Sequence, residues 1–266
     1  MENTAIGFPP TTIAVFVALA VIALAIDLFT HKSDKPVSLT NAAVWSVFWV
    51  VISLMFAGYL YVAHGPSVAS LFVTGYALEK VLSVDNLFVF MAIFAWFKIP
   101  DALRHRVLYW GIIGAIVFRL IFVAIGTGLL AFGPWVEVLF AVVVAWTAVM
   151  MLRSKEEDEE EDYSKHIAYR FAKKLFPVWP KLHGHNFFVS RTELEKEITK
   201  PQNKGMTLVG KGALFATPLF LCVVVVEVSD ILFAFDSVPA VIAVSREPLI
   251  VYSAMMFAIL GLRTMY

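Results

Sequence analysis

Apolar positions gather into long unbroken runs, and polar positions into short intervals between them. Runs close to the roughly 20 residues that a bilayer core demands occupy positions 11–29, 42–62, 70–97, 107–130 and 134–152. After a polar interval, two more cover 212–244 and 248–266. These seven segments predict an all-α, polytopic transmembrane helix bundle. The first segment has no basic flank and no small-residue cleavage pattern before His31, so it is expected to be a retained helix rather than a signal peptide.

Composition agrees with the pattern. Of 266 residues, 60% are apolar and 16% charged, where soluble domains are near 45–50% and about a quarter. Mean hydropathy is +0.79. With 21 basic and 21 acidic residues the net charge is zero, which offers no overall field for nucleic acid and argues against such a partner. One cysteine, Cys222, excludes both a disulfide framework and a cysteine-rich metal site.

Threading the segments alternately through a bilayer puts Lys32, Lys35, Lys98, Arg104, Arg106, Arg153 and Lys155 in loops on one side, with Arg246 alone on the other. The positive-inside bias then sets the N-terminus outside and the 153–211 connection in the cytoplasm. That connection opens on an acidic run, 156–162, which repels itself and reads as a solvated linker. Further on, Ile167, Phe171, Leu175 and Phe176 recur at helical spacing among Arg170, Lys173, Lys174 and Lys181. Such a helix suits either an anionic leaflet or an ordinary protein surface.

Two stretches repeat. DNLFVF at 85–90 and DILFAF at 230–235 share four of six positions. Arg119 and Arg263 follow within apolar helices, 34 residues after Asp85 and 33 after Asp230, so the matched features sit at offsets of 145 and 144. An odd number of crossings between the copies makes the repeat an inverted one, an architecture whose substrate sites lie between the halves near the midplane. The expected organisation is two N-terminal helices in 1–66, a first three-helix repeat in 67–152, the cytoplasmic loop 153–211, and a second repeat in 212–266. The third helix of the second repeat would fall beyond Tyr266, so that copy is expected to be incomplete.

Charges inside these segments supply the candidate chemistry. Glu79, Asp85, Glu227, Asp230 and Asp236 are accompanied by Lys80, Arg119 and Arg263. Five acids facing lipid would cost about 12–18 kcal/mol at 2.5–3.5 each, so they must face partners or a cavity. Helix–helix ion pairing with the three bases neutralises three acids. The remaining two negative charges match one divalent cation, or are removed by protonation. Glu227 and Asp230 share a helix face, as do Glu79, Ser83 and Asn86, whereas Asp85 and Asp236 fall elsewhere. Pro239 is expected to kink or open the helix beside Asp236 and to expose carbonyl oxygens there. Histidines 31, 64, 105, 166, 183 and 185 all avoid the span interiors, so carboxylates with Asn86, Ser83 and Ser229 favour magnesium, calcium or manganese over copper or zinc.

The motifs EKVLSVDNLFVF at 79–90, EVSDILFAFDSVPA at 227–240 and FAILGLRTMY at 257–266 closely resemble the TerC family. Within it the chain most resembles the bacterial Alx-type branch, which also has the ATPL of 216–219. The resemblance implies a polytopic protein of the bacterial inner membrane, linked to tellurium resistance by name and to export of manganese. It also implies metal handling by Glu79, Asp85, Asn86, Glu227, Asp230 and Asp236. Two departures stand out: family members continue for about two more helices, and a serine–asparagine pair common in the family is Ala254-Met255 here.

The expected function is therefore a transporter, not an enzyme, exporting divalent manganese through a midplane carboxylate site. Proton coupling is expected if a desolvated carboxylate exchanges a proton for metal. No tightly bound cofactor is expected, and no Walker motif is present. The competing readings are a non-transporting scaffold for membrane-protein assembly or stress response, and an exporter of another cation or of basic amino acids. An intramembrane aspartyl protease is disfavoured because Val84 and Ser229 precede Asp85 and Asp230.

Overall fold

The computed structural model describes residues 7–30, 39–153, 167–199, 203, 208 and 212–260. Its elements run α1 (Pro10–Thr30), α2 (Leu39–His64), α3 (Pro66–Trp96), α4 (Asp101–Leu129), a short 3-10 turn (Leu130–Phe132) and α5 (Trp135–Arg153). After these come α6 (Ile167–Leu175), β1 (Phe188–Ser190), α7 (Arg191–Ile198), β2 (Leu214–Ala216), α8 (Pro218–Val244) and α9 (Pro248–Ile259). Each of the seven apolar runs contains a helix among the described residues. Three helical stretches, Thr40–His64, Asp101–Phe132 and Pro218–Val244, are long and apolar enough to cross a membrane.

Local chemistry explains the boundaries. Gly65 alone separates α2 from α3; its φ of 89° reverses the chain, and Pro66 starts the next helix at a position where its missing amide costs nothing. The sixth apolar run is shorter as a helix than its hydropathy suggests. Residues 214–216 pair antiparallel with 188–190 instead, and helix begins only at Pro218, because a residue before proline is pushed to extended backbone. The seventh run is helical through Ile259, with Leu260 leaving helical geometry at ψ 129°.

Pro239 does not open α8. The helix runs unbroken through it, so the open turn expected beside Asp236 is not seen, though the proline still leaves the carbonyl of Phe235 without its helical amide donor. A proline removes one amide donor from the ladder, and here Val238, Val241 and Ile242 lock the flanking turns into the core, which outweighs that loss.

Three apolar clusters hold the bundle. One joins α1, α2, α3 and α9 around Phe56, Phe72 and Phe257. A second gathers the end of α3, the start of α4, α6 and the start of α8. A third packs Val123 of α4 against Val238 and Val241 of α8 and Met255 of α9. Consequently α3 and α4 lie directly against α8 and α9. The described part of the long connection adds a small core of its own, Trp179, Val189, Leu194 and Phe215. Its acidic run, 156–162, lies outside the described residues.

Candidate functional site

The buried stripe of α4 reads Leu108, Ile112, Ala115, Arg119, Val123 and Gly126, so Arg119 stands at a core position in a helix otherwise made of apolar side chains. From the start of each helix, at 1.5 Å per residue, Glu79 lies about 20 Å along α3, Arg119 about 27 Å along α4 and Asp230 about 18 Å along α8. All three fall in the middle third of helices about 40–46 Å long. They meet. Arg119 Nη1 donates to Glu79 Oε1, and Nη2 donates to Asp230 Oδ1 at 3.1 Å. Nη1 also lies 3.5 Å from Ser237 Oγ. Glu79 and Arg119 are 0% and 1% exposed, and Asp230 is buried as well.

Such a guanidinium between two carboxylates is held by necessity. An unpaired charge at this depth is costly, and Arg, with five donors in a planar fork, is the side chain able to serve two acids at once. A third acid is close by: Glu227 lies one turn before Asp230 on α8, and its carboxylate sits against the backbone of α4 at Gly114. A Cβ at that glycine would overlap the carboxylate, so Gly114 is what lets Glu227 enter. Three carboxylates against one guanidinium leave the cluster with a formal charge of −2.

Several oxygens are unused. Glu79 Oε2, Asp230 Oδ2, Glu227 Oε2 and Ser83 Oγ are buried without a hydrogen-bond partner among the described residues. Ser83 is one turn beyond Glu79 on α3, and Asn86, also buried, follows on the same face. Ser229 spends its hydroxyl proton locally, on Val225 O at 2.8 Å. Among the described residues, no three His, Cys, Asp or Glu side chains are close enough together to hold a metal ion as they stand.

The other sequence candidates lie elsewhere. Asp236 is half-buried on α8 and does not touch Arg119. Lys80 Nζ donates to Ala258 O at 3.2 Å, near the end of α9. Asp85 belongs to α3, but its side chain, like the whole of Arg263, lies outside the described residues. Ser237 escapes sequence reasoning although a signal existed: it is seven residues after Asp230, hence on the same helix face.

Apolar spanning helices closed around a charged network at mid-depth define a polytopic integral membrane protein. The chain belongs to the integral membrane protein TerC family, whose model matches residues 64–266, from the α2–α3 turn onward. It is 69% identical to the tellurium resistance protein TerC of Serratia marcescens, an alignment covering all of this chain and 78% of that protein. The tellurium resistance protein TerC of Alcaligenes gives the same identity and coverage. It is 39% identical to the candidate membrane-bound redox modulator Alx of Photorhabdus laumondii, over 94% of this chain and 75% of the relative. No solved structure matches the chain.

Proposed function

We propose that the chain is a membrane transporter that moves manganese(II) out of the cytoplasm through the Glu79–Arg119–Asp230 cluster. The observation that supports this most directly is the set of unused carboxylate oxygens on Glu79, Glu227 and Asp230, at mid-depth and with a surplus of two negative charges. Four hard oxygens, counting Ser83 Oγ, suit manganese, magnesium or calcium, and a divalent ion balances the surplus.

Each residue then has a task. Arg119 pins one oxygen of Glu79 and one of Asp230, leaving the second oxygen of each turned to the ion. Glu227 completes the set by swinging from Gly114 toward Asp230, one turn away on its own helix. The two inverted halves, α3–α5 and α8 onward, open alternately to the two sides, with the connection after α5 on the cytoplasmic face. Asp85, Asn86 and Asp236 are further metal-handling residues on α3 and α8. Protons returning to the emptied carboxylates would drive the cycle. The tellurium resistance for which relatives are named is in this reading a consequence of altered metal balance.

Inverted vesicles bearing the protein and enclosing a manganese indicator test the proposal. Uptake should be lost in Asp230→Asn and in Glu227→Gln. Undiminished uptake in both, or lysine moving where manganese does not, would replace this reading with the scaffold or amino-acid exporter. A tellurite challenge of the same variants separates the two phenotypes: tolerance that survives the loss of flux breaks the link between them.

A further inference from the structure

Away from the charged cluster, α6 presents a surface unlike the rest of the polar connection. Ala168 and Ala172 are buried in the apolar cluster formed by Phe94 and Phe97 of the α3 end, Leu103 of α4 and Leu219, Leu221 and Cys222 of α8. Tyr169 packs edge-on against Trp96, 5.5 Å between ring centroids, and Lys173 Nζ stands 5.6 Å from the centre of the Tyr169 ring. Trp and Tyr collect where hydrocarbon gives way to headgroups. These contacts therefore hold α6 level with the end of α3 and the start of the spanning helix α8.

The apolar face of α6 is wider than the protein covers. Phe171 and Leu175, one turn apart and beside the buried alanines, are 60% and 58% exposed. Arg170, Lys173 and Lys174 stand exposed around the remainder of the helix. Two large apolar side chains left uncovered at headgroup level, ringed by three cations, match the chemistry of an anionic lipid surface. The uncovered pair lies beside the ends of apolar helices and carries matching positive charge, which favours an anionic lipid surface over a protein partner as its occupant.

We propose that α6 is an interfacial helix that docks on anionic phospholipid in the adjoining leaflet. Phe171 and Leu175 enter the acyl boundary, and Arg170, Lys173 and Lys174 meet the phosphates. Docking fixes α6 against the end of α3 and the start of α8.

The test uses the full chain in nanodiscs of phosphatidylcholine, with and without phosphatidylglycerol. An environment-sensitive fluorophore is placed by Leu175→Cys in a Cys222→Ala background, and a portion of the lipid has brominated chains. Bromine quenching should rise when phosphatidylglycerol is present and fall again at high salt. Joint Arg170→Glu, Lys173→Glu and Lys174→Glu should remove that preference, lowering the docked-to-free ratio more than about a hundredfold at low salt, since each lost cation costs about fivefold and the three new acids add repulsion. The salt series needs no charge reversal, so a misfolded triple variant does not decide the outcome. Quenching that ignores phosphatidylglycerol and salt overturns the proposal. So does a label open to aqueous iodide in both lipids, or one shielded from iodide and bromine alike, which would mean a protein covers α6.

Discussion

Substituting Arg119→Gln removes the guanidinium that joins α3, α4 and α8 while keeping a side chain of similar length. Glu79 and Asp230 then both lose their cation, and the cluster passes from a formal −2 to −3. Removing one partner of a buried ion pair costs about 3–5 kcal/mol, and two acids are orphaned here, so the upper value applies within a fixed environment. Against this, helices denatured in a micelle keep finding polar partners, which lowers the measured cost of lost membrane contacts. The expected loss is therefore about 3 kcal/mol or more, over a hundredfold in the folded-to-unfolded ratio at 1.4 kcal/mol per decade. Equilibrium unfolding of the full chain in mixed micelles of rising dodecyl sulfate fraction reads this directly. The decisive variant combines Arg119→Gln with Glu79→Gln and Asp230→Asn, which leaves polar amides in place of uncompensated charge and should recover most of the loss. An Arg119→Gln protein as stable as the parent, or a triple variant no better than the single one, refutes the assignment of Arg119 as the counter-ion of both acids.

Two further outcomes follow from close packing. Gly114→Ala should displace the Glu227 carboxylate, because the new methyl group overlaps it; manganese flux should fall while thermal stability changes little, since the far end of a flexible side chain can move aside. Leu194→Ala, in the small core with Trp179, Val189 and Phe215, should cost about 2–5 kcal/mol of local stability. Faster proteolysis within the polar connection would report this loss, with the spanning helices protected as before.

That Glu79, Arg119 and Asp230 must be buried and partnered was legible in the sequence, because lipid tolerates no isolated charge. Their pairing was not: it joins positions 40 and 111 residues apart, and three bases stood available for five acids. Helix periodicity put Glu227 beside Asp230, yet Gly114, the residue that makes room for it, belongs to another helix and has no side chain to signal its purpose. Asp236, grouped with the others by residue type, is set apart by its angle around α8.

What the one-dimensional pattern decided by itself was the existence of the spanning helices and their mid-depth charges. Helix hydrogen bonds are local and the cost of exposing polar groups to hydrocarbon depends on composition, so neither requires knowledge of neighbours. Tertiary structure alone decided that Pro239 is carried inside an unbroken α8, that residues 214–216 leave the helix to pair with 188–190, and that a single arginine serves two acids. Those outcomes depend on which surfaces meet when α3 and α4 pack against α8 and α9, and such contacts between distant segments leave no periodic trace along the chain.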